Sequence, residues 1–548
     1  MKGKLKIRKN NLKTIFAAVI ALPAIILWSQ PVSAQVPRPQ NLESFVKYMH
    51  AHHQAPFDRD SAFIPKEEAL KLQRNAEALK LQLNAPVLGG TNVKVNQDRN
   101  PWPKAEIAGA VDPTSGSNYV VMSNDFRENY DHMFYHVSTT GGATWTDDSM
   151  VGGADPVTGF IPLTFQSDPG VAFDTVGHSF LSTITGNLIF VFDFVNEFEY
   201  VNLDTEIETA EGFANGTYTS LLPTVIDDQP CNFSFSGSNC PALSNCPAQL
   251  DKPLITIDNV PGSPNQGTIY VYYTLFCNDK ACVDGSAHVP PFSSAILESH
   301  ARGAGLPFSA PKLVSGSHTQ EQFSDMVIDS HGTPHIFFDD FSDPNFIRMF
   351  ESTLKGGTWV VSGKPVASFT YNGLNNIQWG FRDTGAIAPG CGIHGDTAYC
   401  AFSANQIAGG RAESTPSVYL AVVNTLTGAS SINRVNNDPF NDSKDHFFAW
   451  ATAKPTGAVY VGWYDNRNDP FNTKVKYFVG KSTDGGKTFP KQVAVSDTAF
   501  NPCIGFPGCG FFGDYTQLVS GPDGVVHAAW SDTRDGASMQ IFTQPITW

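Results

Sequence analysis

Seven acidic residues recur at one kind of place in this chain. Glu106, Asp168, Asp251, Asp325, Asp383, Asp445 and Asp514 each stand just ahead of an apolar run. Carboxylates gathered from so many strand starts would line a mouth able to bind Ca²⁺ or a polar ligand. The competing role is structural, with each carboxylate capping backbone N–H groups of a neighbouring element. A second pattern, Asp-x-Arg, appears as Asp125-Phe126-Arg127, Asp465-Asn466-Arg467 and Asp532-Thr533-Arg534. Three converging guanidiniums would grip a carboxylate or sulfate through paired hydrogen bonds. The alternative is that each Asp–Arg pair braces its own loop.

The elements that must position these groups repeat. An apolar strand, a polar turn with Gly and a second apolar strand recur seven times, the first strands beginning near Ile107, Val171, Leu254, Met326, Ala386, Ala449 and Leu518. Spacings of roughly 60–80 residues leave room for two further strands per unit. The pattern predicts an all-β, seven-bladed β-propeller of four-stranded blades over residues 91–548, with six blades as the alternative. Only about one strand fits between Trp530 and the end of the chain, so Asn92-Val93-Lys94-Val95 is expected to supply the last outer strand and cover the open edge.

One stretch specifies a hairpin in detail. In Ser482-Thr483-Asp484-Gly485-Gly486-Lys487-Thr488-Phe489 the carboxylate can accept turn N–H groups, and the glycines permit positive φ. Ser138 to Trp145 repeats it without the Asp, and Ser352 to Trp359 keeps only Gly-Gly-Thr-Trp. On these residues the chain resembles the Asp-box (bacterial neuraminidase repeat) β-propellers, a group that includes the sialidases. The resemblance implies a general acid at Asp131, since Arg127, Asp131 and the Ser138–Trp145 hairpin fall in the family's order. It fails at one point. The family opens this blade with Arg-Ile-Pro, where this chain has Lys104-Ala105-Glu106-Ile107, and a glutamate there would repel a sialic acid.

Composition narrows the partners. The formal charge is −16, and the first 34 residues carry six basic and no acidic side chains, so their removal gives −16 − 6 = −22. Nucleic acid and anionic membranes are therefore disfavoured. Residues 1–34 read as a secretory signal: Lys2 to Lys13 are basic, Ile15 to Trp28 apolar, and Val32-Ser33-Ala34 suits cleavage after Ala34. A secreted or periplasmic monomer without a membrane span is expected. Residues 35–90 read as a helical leader or cap, with a helix opening at Pro65. The nine cysteines suit an oxidising compartment. Local pairs Cys277 with Cys282, Cys391 with Cys400 and Cys503 with Cys509 are expected, while Cys231, Cys240 and Cys246 leave one thiol over.

Three functions fit these residues. A glycoside hydrolase or lyase would cut extracellular polysaccharide at the carboxylate-lined mouth, with Asp131 and Arg127 catalytic. A non-catalytic module would bind glycan or protein there through Glu106, Asp168, Asp251, Asp325, Asp445, Arg467, Asp514 and Arg534. A true exo-sialidase is the third. No metal is required; Ca²⁺ at the acidic mouth is the one cofactor the pattern permits.

Overall fold

In the computed structural model the described residues are 92–127, 131–149, 163–191, 200–211, 213–214, 217–218, 224–234, 248–277, 281–285, 287–372, 377, 379–506 and 509–548. The expected signal segment and helical leader lie outside them. Within them the fold is an all-β propeller. Seven sheets have four or more strands, and every main pairing is antiparallel. Their inner strands are Lys104–Val111, Leu163–Phe173, Ala248–Ile257, Glu321–Ile328, Gly390–His394, His446–Ala453 and Gln517–Ser520. Each touches the next, and the seventh touches the first, so the sheets close a ring. Strands covered on both flat faces by neighbouring sheets should be apolar at successive positions rather than alternating. Tyr119–Asp125, Ile269–Cys277 and Val459–Asp465 are buried throughout.

Val93–Lys94 pairs with Gln540–Ile546 and forms the outer strand of the seventh sheet, so the two ends of the propeller share one sheet. Strand starts differ from expectation. Lys104, Leu163, Ala248 and Glu321 open theirs ahead of Ile107, Val171, Leu254 and Met326, which puts Glu106, Asp168, Asp251 and Asp325 inside strands, whereas the fifth opens late. Ala386 lies in a 3₁₀ turn, Thr384–Ile387, and the fifth inner strand begins only at Gly390. Pro389 cannot donate a ladder hydrogen bond, and the strand opens at the residue after it, four beyond Ala386.

The Ser482–Phe489 hairpin joins the third and fourth strands of the sixth sheet. Asp484 accepts from Ser482 Oγ at 2.6 Å, Thr488 N at 3.0 Å and Thr488 Oγ1 at 2.7 Å. Ser482 Oγ also accepts Gly486 N at 2.9 Å, as Ser138 Oγ accepts Gly142 N at 2.8 Å in the first sheet. Phe489 and Trp145 are buried beneath the two turns. Asp484→Ala should cost about 1 kcal/mol in denaturant unfolding, the scale of a lost local cap. These bonds hold the Asp484 carboxyl down to about 2. A depressed carboxyl contributes above its unfolded value near pH ~4, and that contribution fades as pH falls toward 2. An unchanged midpoint at pH 7 would contradict this role.

Cys277–Cys282, Cys391–Cys400 and Cys503–Cys509 are disulfides. Cys391 and Cys400 are direct ladder partners. Non-reducing peptide mapping should recover all three local pairs, and free thiols at Cys391 and Cys400 would contradict the geometry.

Candidate functional site

The inner strands carry a repeated distortion. Glu106, Asp168, Lys252, Phe323 and Phe448 have φ values of 54°, 56°, 53°, 55° and 52°. Each sits at a register shift in the ladder to the second strand. These are β-bulges with a left-handed first residue, costing on the order of 1–3 kcal/mol each. A bulge turns a side chain away from the pleat, and here the polar ones turn toward one another. Lys252 Nζ lies 3.5 Å from Glu106 Oε1, 3.2 Å from Asp168 Oδ1 and 2.5 Å from Asp514 Oδ2. Arg382 reaches Asp514 Oδ2 at 2.7 Å and stacks on Phe511. Asn124 donates to Glu106 at 2.9 Å and accepts the Asp168 N–H at 3.0 Å. Side chains from the first, second, third and seventh sheets, with the 379–389 loop, thus meet at one end of the ring.

Carboxyls outnumber cations here, so the cluster retains protons. Burial pushes the Glu106 carboxyl well above the ordinary range. Burial likewise carries Asp251 up to about 8, although Gln322 donates to it at 2.7 Å. Asp168 is buried too, yet the Lys252 ammonium draws it below the ordinary value. Asp131 is fully buried beside this cluster, and burial raises it well above the usual carboxylate range. The Ser167 hydroxyl lies close enough to pull it partly back, but neither carboxyl oxygen of Asp131 makes a well-formed hydrogen bond among the described residues.

The other expected site residues sit elsewhere. Asp325 clamps neighbouring sheets, accepting Tyr272 OH at 2.9 Å and Cys391 N at 2.7 Å. Asp383 accepts Tyr371 OH at 2.5 Å, and the Asp445 N–H donates to Asn466 Oδ1 at 2.9 Å. The acidic residues are not equivalent in register. Glu106 and Asp168 occupy the bulge, Asp251 precedes it by one residue and Asp325 follows one by two. They therefore form a cluster plus separate clamps rather than a uniform ring.

The arginines pair with separate carboxylates, each held first by the aspartate two residues before it. Arg127 pairs with Asp125 at 2.6 Å and Asp147 at 3.2 Å and lies over Phe134. Arg467 pairs with Asp465 at 2.7 Å over Phe478, and Arg534 with Asp532 at 2.6 Å over Phe542. Each braces the end of its second strand, so the three do not combine into one anion grip.

Sequence reasoning missed Lys252 and Arg382. Lys252-Pro253 aligns with Asp168-Pro169 at the same strand start, and that alignment is the signal that would have exposed the lysine. Arg382 reaches the cluster from a loop, where no periodicity marks it.

No protein-family model and no curated protein matches this chain. Among solved structures, an α-L-arabinanase of Penicillium chrysogenum complexed with arabinobiose aligns at 8% identity and TM-score 0.39, over 83% of this chain and 98% of its own. An intramolecular trans-sialidase from Ruminococcus gnavus aligns at 11% identity and TM-score 0.37, covering 84% and 97%. A sialidase from Streptococcus pneumoniae aligns at 10% identity and TM-score 0.39, covering 85% and 72%.

Proposed function

We propose that this protein is a secreted propeller of seven blades, one per sheet, that binds and cleaves an extracellular glycan at the Lys252 end of the ring. The observation carrying this reading is the split between two neighbouring carboxyls. Asp131 is pushed up by burial and Asp168 is pulled down by Lys252, and the two lie within electrostatic reach of each other. A protonated acid beside an ionised carboxylate is the pairing glycoside hydrolysis uses. Asp131 would protonate the departing glycosidic oxygen, and Asp168 would stabilise charge on the sugar ring or activate water. Asn124, Lys252 and Arg382 would hold Asp168 and Glu106 in place. The sealed cluster, with Asp168 only 5% exposed, instead favours a binding module whose charged plug is structural. Lys104 and Glu106 in the first strand weigh against an exo-sialidase, because a buried carboxyl held by Lys252 and Asn124 stands where the resemblance calls for an arginine.

No helix among the described residues is long and apolar enough to cross a membrane. The three disulfides support an oxidising compartment. The deciding experiment screens purified protein against neutral and acidic polysaccharides, scoring binding and released product separately. Product release from at least one glycan is expected. Binding without product would favour the module, and neither binding nor product would overturn both readings.

A further inference from the structure

In three sheets the second strand ends in the same arrangement. Asp125, Asp465 and Asp532 accept the amide N–H of the residue two further on at 2.9, 2.7 and 2.8 Å, and each pairs with that residue's guanidinium. The fourth sheet builds the same end from Asp340, whose Oδ1 accepts Ser342 N at 2.7 Å. Here a serine replaces the arginine. The residue directly across the ladder differs as well. Lys104 faces Asp125 and His446 faces Asp465, whereas Glu321 faces Asp340.

The fourth sheet has thus lost a guanidinium and set a second carboxylate against the first. Both are almost completely buried, at 1% exposure each. Among the described residues the one cation-capable side chain hydrogen-bonded to the pair is His318, through Nδ1 to Asp340 Oδ2, while Arg348, across the ladder from Asp340, pairs with Asp343 instead. Glu321 Oε1 accepts Gln320 N at 2.8 Å, but Glu321 Oε2 has no hydrogen-bond partner among the described residues. An unpaired buried carboxylate oxygen costs several kcal/mol unless it is protonated or a cation meets it. One ligand atom from each of His318, Glu321 and Asp340 lies within 4.8 Å of the other two.

We propose that His318, Glu321 and Asp340 bind a divalent transition cation of the zinc type, with a fourth position left for water. The donor set selects the ion. One imidazole with two carboxylates suits zinc, whereas Ca²⁺ wants six to eight oxygens. The double positive charge replaces what the lysine and arginine of the first sheet supply. Bonds of about 2.1 Å require the three side chains to draw together by rotamer adjustment. The inference does not depend on glycan cleavage.

The test uses the whole protein, stripped with a chelator and titrated with Zn²⁺ by calorimetry, with melting temperature followed in parallel. One Zn²⁺ per chain and a raised melting temperature are expected. Glu321→Gln should weaken binding at least tenfold. Ser342→Arg should restore the sister-sheet ion pair, abolish zinc binding and melt no lower than the metal-free wild type; it also keeps the test open if Glu321→Gln does not fold. Asp396→Asn, which disables the separate Asp329, His331 and Asp396 group, should leave the stoichiometry at one. No saturable Zn²⁺ binding, unchanged binding in both Glu321→Gln and Ser342→Arg, loss in Asp396→Asn alone, or tighter Ca²⁺ than Zn²⁺ binding would each overturn the assignment.

Discussion

Lys252→Met should destabilise the protein by about 3–5 kcal/mol at neutral pH, the scale for removing one partner of a buried ion pair. The lysine ammonium is the common partner of Glu106, Asp168 and Asp514, and it is only 8% exposed. Methionine fills a similar volume, so the loss is mainly electrostatic rather than a cavity effect. Arg382 remains, but its close contact is with Asp514. Asp168 then loses the charge that holds its value down and rises above the unfolded value near ~4, while Glu106, already raised by burial, rises further. A raised carboxyl is penalised increasingly as pH climbs past its unfolded value, so the deficit should be larger at pH 8 than at pH 5. Urea unfolding at both pH values reads this directly. A deficit below about 1 kcal/mol, or one that shrinks toward pH 8, would mean that the lysine does not hold the cluster.

Asp131→Asn should lower kcat on the glycan by roughly 10²–10⁴-fold while leaving binding nearly unchanged, because an amide keeps the shape but has no acidic proton to give. Burial keeps the Asp131 carboxyl protonated above the ordinary range. Wild-type activity should therefore persist through mild acidity and fall as pH rises through the Asp131 value. Asp168→Asn tests the partner, since the Lys252-paired carboxylate must stay ionised. Turnover of Asp131→Asn within about threefold of wild type would remove Asp131 as the acid. Equal loss of binding and turnover would make it a structural residue.

The hairpin at Asp484 lies at the opposite end of its sheet from these groups. Ser482 ends the third strand beside Val459, which in turn pairs with Ala453 at the end of the inner strand. Asp484→Ala should accordingly leave glycan binding untouched.

Much of the architecture is local and so was open to reading from residue order. Strands buried on both sides must be apolar throughout, turns need Gly at positive φ, and a ring with one short sheet needs a strand from its other end. These requirements are visible in Ile269–Cys277, in Gly485 and Gly486, and in Val93–Lys94. The ladder pairing of Cys391 with Cys400 follows from the same hairpin logic.

Direction was not local. Seven acids at strand starts looked equivalent because hydrophobic periodicity does not register a bulge. The extra residue decides whether a side chain enters the cluster, as Glu106 and Asp168 do, or clamps neighbouring sheets, as Asp325 does. The three arginines looked convergent because their strand ends share one end of the ring. Their second partners are Asp147 from the outer strand of the first sheet, and Asp438 and Asp497 from the segments that lead into the sixth and seventh sheets. Composition announced the −16 charge, but only tertiary contact placed Lys252 among three carboxylates and left Glu321 facing Asp340. Coulomb energy depends on distances across sheets, and one-dimensional order does not carry those distances.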